Sequence, residues 1–227
     1  MIYEINRSNW RANLKSVHKM IATARFPIVI SGAGISAASG LPMNFDKIRK
    51  TSIHKLFEYK FWRNCPTEFF EDYWMILDWW RRAIPNPAHD AIARARFTVI
   101  TQNVDELHRD AGTSHLIELH GNLSRLFCND CHTTFPASFA QPTIPLCPRC
   151  STILRPGYVF VGEPVRHFAW AVDEVGRADL LLVVGTELDA APLRSLPHLA
   201  HQNTANVIWV NERSETIIPQ LFQTLLE

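Results

Sequence analysis

The stretch Phe26-Pro27-Ile28-Val29-Ile30-Ser31, running directly into Gly32-Ala33-Gly34-Ile35-Ser36-Ala37, decides the fold class of this chain. Its first half is short, apolar and rich in β-branched residues, the pattern of a strand buried on both faces. Its second half fits the Gly-x-Gly-x-x-Gly/Ala pattern that follows the first strand of a dinucleotide-binding unit. Glycine suits that turn because the backbone must bend tightly and admit a pyrophosphate, with helix N–H groups behind it. A plain tight turn is the competing reading. An ordinary dehydrogenase would also place an acidic residue about 20 positions further on, at the end of a second strand. Here that region holds Ile53-His54-Lys55-Leu56-Phe57, which reads as helix, so hydride transfer is disfavoured.

Working outward, Ser8 can cap a helix whose apolar positions Trp10, Leu14, Val17 and Ile21 recur at helical spacing. Between 51 and 83, Phe57, Phe61, Trp62, Phe69, Phe70, Tyr73, Trp74, Leu77 and Trp80 fall mostly three and four apart, which predicts two helices. An aromatic stripe of that kind reads as core, with an acyl or base-stacking site as the sharper alternative. Asn86-Pro87-Ala88-His89 opens another short helix. Strands are expected at 96–100, 115–119, 158–161, 180–184 and 206–210, and helices near 166–177, 192–201 and 214–226. Strands alternating with helices predict an α/β fold, a Rossmann-like, mostly parallel sheet with helices on both faces.

Ligands of open α/β sheets sit outside the carboxyl ends of the strands. Thr101-Gln102-Asn103-Val104-Asp105-Glu106-Leu107-His108 crowds amide, carboxylate and imidazole groups at such an end. It reads equally as a helix start, with Asn103 as the cap and Asp105 and Glu106 near the positive end of the helix dipole. His120, just before Gly121, is a candidate general base, since an imidazole with a pKa near 6.5 accepts a proton at neutral pH. A packed, hydrogen-bonded histidine is the plainer alternative.

Cys128-x-x-Cys131 and Cys147-x-x-Cys150, with fifteen residues between the pairs, match four-cysteine zinc spacing. Two thiolate knuckles complete a tetrahedron with no open position, so a bound zinc would be structural. Four reduced cysteines without metal are the alternative. Cys65 lies outside this spacing, among aromatic helices, where a buried thiol is expected.

Composition narrows the classes further. With 47% hydrophobic and 20% charged residues the chain is globular in character, and a net charge of +1 argues against a broad basic face for nucleic acid. No segment reaches the roughly 18 consecutive apolar residues of a membrane span. Met1-Ile2-Tyr3-Glu4-Ile5-Asn6 lacks the basic and apolar segments of a secretory signal, so an intracellular, cytoplasmic location is expected.

Taken in order, these pieces resemble the sirtuin family of NAD-dependent protein lysine deacylases. The matching parts are 32–42, 101–108 with Asp110-Ala111-Gly112, Glu118-Leu119-His120-Gly121, both cysteine pairs, Gly162-Glu163, Gly185-Thr186 and Asn211. The resemblance implies a large NAD-binding domain of 1–50, 84–123 and 155–227. It also implies a small domain made of a helical insertion (51–83) and a zinc module (124–154), with NAD and an acyl-lysine peptide meeting between them. Gly32, Ala33, Gly34 and Ser36 would hold the NAD phosphates, and Phe45 would cover the nicotinamide. Gln102 and Asn103 would contact the ribose and the catalytic water, and Asp105 the carboxamide. Gly185, Thr186, Asn211 and Glu212 would line the ribose and adenosine side. His120 would be the base, with Asn103 as its catalytic companion, and Val161, Gly162 and Glu163 would pair with the peptide backbone as an added strand. In the family mechanism the acyl oxygen displaces nicotinamide, a ribose hydroxyl activated by the base attacks the resulting imidate, and water releases the amine and O-acyl-ADP-ribose.

This chain departs from the family pattern in several places. Met43-Asn44-Phe45-Asp46 stands where an acidic residue, Phe and Arg are expected; Glu187 replaces a small hydroxyl residue and Val161 an aromatic one. The Asp expected near the adenine loop is not evident. ADP-ribosyl transfer or NAD hydrolysis on the same fold is an alternative, and so is a non-catalytic NAD or ADP-ribose binding module that recruits a protein partner.

Overall fold

The computed structural model describes residues 1–41, 47–48, 51–139 and 143–226. The chain runs β1 (Ile2–Glu4), α1 (Trp10–Thr23), β2 (Pro27–Ser31), a 3-10 helix (Ala33–Ser39), β3 (Lys47–Ile48), β4 (Thr51–Ser52), a second 3-10 helix (Ile53–Phe57), α2 (Tyr59–Asn64), α3 (Pro66–Trp80) and α4 (Pro87–Ala95). It continues through β5 (Thr98–Thr101), α5 (Leu107–Asp110), β6 (Leu116–Glu118), β7 (Gly121–Phe127), β8 (Thr134–Pro136), β9 (Arg155–Tyr158), α6 (Phe168–Arg177) and β10 (Leu180–Val184). The last elements are α7 (Leu196–Gln202), β11 (Asn206–Val210) and α8 (Ser214–Leu226).

Six strands form one sheet in the order β1-β11-β10-β2-β5-β6, and every neighbouring pair is parallel. The two-residue period of a strand divides its side chains between two cores. Val29, Leu180, Leu182, Val184, Ile208 and Val210 face one side, where Val17 and Ile21 of α1, Ala88 and Ile92 of α4, and Ile217 and Leu221 of α8 cover them. Ile28, Ile30, Leu181, Val183 and Val207 face the other, under Ala171 and Val175 of α6 and Leu196 and Ala200 of α7. Helices thus cover both faces, which is why the strands read as unbroken apolar runs rather than as alternation.

A third core lies between α2, α3 and the antiparallel sheet β8-β7-β9. Phe61, Trp62, Phe69, Phe70, Tyr73, Trp74 and Leu77 are buried there with Cys128 and Cys147. The aromatic stripe is therefore packing. Buried polar tips find partners, as Tyr73 Oη donates to the Leu123 carbonyl (2.5 Å) and Tyr158 Oη to that of Leu56 (2.7 Å).

Three local expectations are corrected. Helix α1 starts at Trp10 behind Asn9; the Ser8 hydroxyl donates to Asn6 Oδ1, so Ser8 closes the preceding turn instead of capping the helix. Cys65 is exposed, because it occupies the turn where α2 ends and α3 begins. The strand expected at 158–161 ends at Tyr158, where pairing with Gly121 stops and the chain turns away. Among the described residues no helix is long and apolar enough to cross a membrane.

Phe69, fully buried and in ring contact with Phe61, Phe70, Tyr73 and Phe160, centres the third core. Phe69→Ala is expected to cost about 3–5 kcal/mol of unfolding free energy, measured as a lower urea midpoint with an unchanged m-value.

Candidate active site at the carboxyl ends of the sheet

Parallel strands bring their carboxyl ends to one edge, and the chemistry-bearing residues gather there. At the centre, the turn after β2 meets the turn after β10. Gly34 N–H donates to the Gly185 carbonyl (2.9 Å) and Gly32 N–H to that of Val184 (3.1 Å). A Cβ on Gly34 would lie 2.8 Å from Gly185 Cα, and one on Gly185 would lie 2.2 Å from the Ile35 nitrogen, with Gly185 already at φ +64°. Glycine is required here by backbone meeting backbone, a reason additional to the approach of a ligand.

The next strand end supplies the polar cluster. The Asn103 side-chain amide donates to the Gly32 carbonyl (3.2 Å) and to Ser36 Oγ (3.1 Å), and Ser36 Oγ donates to Asp105 Oδ2 (2.6 Å). Asp105 Oδ1 accepts the Leu107 N–H at 3.0 Å. Burial pushes the Asp105 carboxyl up from its ordinary value, and the Ser36, Leu107 and Asn103 donors oppose that. Asn103 is therefore not the helix cap. Helix α5 begins only at Leu107, and it is Asp105 that holds its first N–H.

Gln102 ties three strand ends together. Its N–H donates to the Ser31 carbonyl (3.0 Å), its side-chain amide to Thr186 Oγ1 (2.9 Å), and its carbonyl accepts His120 Nδ1 (2.9 Å). Because a carbonyl can only accept, His120 Nδ1 carries the proton and Nε2 is left as the lone-pair nitrogen. Burial lowers the pKa of His120 below 6.5, partly opposed by the Gln102 carbonyl. A neutral ring with Nε2 free can take up a proton from a bound hydroxyl.

On the other flank, Asn211 Oδ1 accepts the Thr186 N–H (3.0 Å), and its amide donates to Glu187 Oε1 (3.2 Å). Glu187, Asn211 and Glu212 border a cleft of about 310 Å³ that also takes in Glu4. Gly32, Ala33, Gly34, Ser36, Gln102, Asn103, Asp105, His120, Gly185, Thr186, Asn211 and Glu212 thus share one edge of the sheet. Phe45 and the rest of Met43–Asp46 lie outside the described residues.

Val161, Gly162 and Glu163 form the turn after β9. Val161 N–H donates to the Phe57 carbonyl (2.8 Å) and Val159 N–H to that of His120 (2.9 Å), so this segment is fastened both to the second 3-10 helix and to the backbone at His120. The Val161 side chain stands 64% exposed. The Glu163 carboxylate is engaged by the Arg155 guanidinium (2.8 and 2.6 Å) and by Phe160 N–H (2.9 Å). Burial pushes that carboxyl up, but Arg155 and Phe160 hold it below its ordinary value. Arg155 was not evident from sequence, since one cation before Pro156 in an irregular segment carries no periodicity. His108 belongs to a different environment: its Nε2 bonds Ser31 Oγ (2.8 Å) and its ring meets His89 edge-on at 4.9 Å.

The four Sγ atoms of Cys128, Cys131, Cys147 and Cys150 lie within 4.8 Å of one another, with Cys131 and Cys147 3.7 Å apart. Ligands about 2.3 Å from a tetrahedral zinc are separated by about 3.8 Å, so the donor set fits zinc. The thiol environment agrees. The Cys131 backbone N–H draws the Cys128 thiol down to about 6, whereas the Cys131 thiol and its neighbours push Cys150 up to about 12. Four thiolates that crowded need a cation to neutralise them.

A dinucleotide-type sheet with an imidazole and an amide cluster at one edge, and a four-thiolate knuckle in a separate small core, fits a class of NAD-dependent group-transfer proteins. The sequence profile of the Sir2 family matches residues 32–192, and the chain belongs to that family. It is 34% identical over 224 residues to an NAD-dependent protein deacylase of Thermococcus sibiricus, covering 91% of this chain and 88% of that one. It is 36% identical over 220 residues to the NAD-dependent protein deacylase of Pyrococcus abyssi, covering 89% and 88%. Among solved structures, Sir2Tm bound to a propionylated peptide superposes with a TM-score of 0.83 at 25% identity, over 94% of this chain and 99% of that chain. A Sir2 homologue in complex with 2'-O-acetyl ADP ribose superposes with a TM-score of 0.85 at 28% identity, over 94% and 98%.

Two outcomes follow from this geometry. Burial lowers His89 to about 4 and His108 to about 3, so both stay neutral in the fold while the unfolded chain takes up protons below 6.5. Stability should fall as pH drops from 6.5 towards 4, by up to about 1.4 kcal/mol per unit for each ring. Urea titrations at stepped pH should show His89→Gln flattening that slope. For the cysteines, a thiol reagent should modify only Cys65 in the zinc-loaded protein and all five cysteines after chelation.

Proposed function

We propose that this chain is an NAD-dependent protein lysine deacylase that consumes NAD and an acyl-lysine peptide and releases nicotinamide and O-acyl-ADP-ribose. The observation that carries the reading is the His120 ring, held at Nδ1 by the Gln102 carbonyl with Nε2 free, at the strand edge where Gln102 and Asn103 stand. Family membership and relatives named as NAD-dependent protein deacylases support it.

In this reading the turn of Gly32, Ala33, Gly34 and Ser36 receives the phosphates, and Phe45 covers the nicotinamide. Asp105 orients the carboxamide, and its bond from Ser36 fixes the carboxylate before NAD arrives. Gln102 and Asn103 contact ribose and water. Gly185, Thr186, Asn211 and Glu212 line the ribose and adenosine side. His120 Nε2 takes the proton from a ribose hydroxyl, and Nδ1 keeps its bond to Gln102 throughout, so the ring does not reorient. The peptide lies as an added strand along Val161, Gly162 and Glu163, with main-chain bonds giving affinity and limited side-chain preference. Arg155 holds Glu163 and so the shape of that turn.

The division of labour is proposed along the same lines. Residues 1–50, 84–123 and 155–227 form the NAD-binding part, and 51–83 with 124–154 form the smaller part, whose zinc is structural. A cytoplasmic setting suits four cysteines that serve as metal ligands and one further free thiol.

Incubation with NAD, with and without an acetyl-lysine peptide, tests the proposal by nicotinamide release and product mass. Peptide-dependent O-acetyl-ADP-ribose is the expected product; peptide-independent ADP-ribose would mark a hydrolase or transferase, and no nicotinamide would mark a binding module. His120→Ala should lower the deacylation rate by roughly 10²–10⁴-fold. Because burial lowers its pKa, the acid limb of the pH–rate profile should have its midpoint below 6.5 and should vanish from the residual activity of His120→Ala. Full deacylation by that variant would remove the base from His120.

A further inference from the structure

A second cleft, of about 320 Å³, opens outside the edge strand β6, between α5, β7 and the start of α6. None of the residues placed in the NAD or peptide sites lines it. Its charged walls are Arg109, Arg125, Arg166 and Glu118, and its apolar walls include Phe127 and Trp170.

The charges do not balance. Glu118 is paired with Arg109 at 2.8 Å, and its second oxygen accepts the Asn122 amide at 3.0 Å, so the one carboxylate is fully committed. Arg166 donates to the Gly157 carbonyl at 2.8 Å, a dipole rather than a counter-ion. Burial and the neighbouring Arg155 pull the Arg166 pKa down, against weaker support from Glu163 and Glu118, as expected for a cation short of negative charge. Arg125 makes no ion pair among the described residues. Among the lining residues, three guanidiniums against one carboxylate leave a formal excess of two positive charges, with the Glu106 carboxylate outside the lining, behind Asn122.

A solvated basic surface would need no apolar wall. This cleft has one in Leu116, Phe127 and Trp170, the last of which remains 52% exposed. Its volume is at the lower end of small-molecule sites, enough for a ligand the size of a substituted benzene ring. Guanidiniums favour the planar, two-oxygen face of carboxylate and phosphate groups.

We propose that this cleft binds a small organic dianion, a phosphate monoester or dicarboxylate with a compact apolar body, whose charge is met by Arg125 and Arg166 and whose body rests on Phe127 and Trp170. The site is separate from the NAD cleft. It backs onto the turn that carries the base: Gly121, which lines it, follows His120 and sits at φ +77°, and a Cβ there would lie 3.0 Å from Arg166 Nη1.

Isothermal titration calorimetry of the full chain at low ionic strength, with phenyl phosphate, phthalate and benzoate as probes, tests the proposal. Saturable one-to-one binding of either dianion, tighter than the monoanion benzoate, is expected, and the two dianions distinguish phosphate from dicarboxylate preference. Arg125→Glu, at an exposed position, should weaken that binding by roughly tenfold or more without changing the melting temperature. Saturating NAD or acetyl-lysine peptide should leave it unchanged. No saturable binding of either dianion, equal binding of benzoate, full binding by Arg125→Glu, or displacement by NAD or peptide would each overturn the proposal.

Discussion

The contact on which the site depends is the meeting of two glycine backbones, Gly34 N–H on the Gly185 carbonyl, with no room for a side chain on either residue. It locks the turn after β2 against the turn after β10 at the middle of the parallel sheet. From that fixed point the other groups take their places in sequence. Asn103 reaches the Gly32 carbonyl, Ser36 reaches Asp105, Gln102 reaches Thr186, and His120 hangs from the Gln102 carbonyl. Each of these is a hydrogen bond between partly buried groups, worth about 1 kcal/mol taken alone. Their value is geometric: an imidazole, two amides and a carboxylate are positioned by the fold itself, so little ordering would remain to be done on binding a ligand.

Much of this was legible in the chain. Runs such as Leu180–Val184 and Asn206–Val210 could be placed to the residue because a strand buried on both faces must be apolar throughout, and turn residues bound it sharply. Helices with a single buried stripe, such as α1, were legible from Val17 and Ile21, but their starts were not. The cap at Asn9 depends on how the Asn6 side chain folds back, which spacing does not encode. The cysteine pairs were legible because metal geometry is written directly into short spacings.

What escaped the sequence was mostly direction. Nothing in Thr101–His108 distinguishes Asp105, which faces Ser36, from His108, which turns into the protein towards Ser31 and His89. The two competing uses of Asn103 were separated only by the position of Gly32, seventy-one residues away in the chain. Nothing near Glu163 in sequence announces that its carboxylate is held by Arg155. Long-range partners of this kind leave no local periodicity to detect.

The order of the sheet has a consequence for how the molecule comes into being. Strand β1 lies at one edge and, among the described residues, pairs only with β11, Ile2 beside Val207, while β10 reaches back to β2 across most of the chain. Strand β1 therefore cannot take its place in the sheet until β11, far along the chain, is available to pair with it. The central pair β2 and β5, closer together in sequence, can join before β1 docks. Loop closure over such separations is slow, and exposed edges in the meantime invite association with other chains. The parallel order that gathers the site on one edge thus also makes completion of the sheet wait on its most distant pairings.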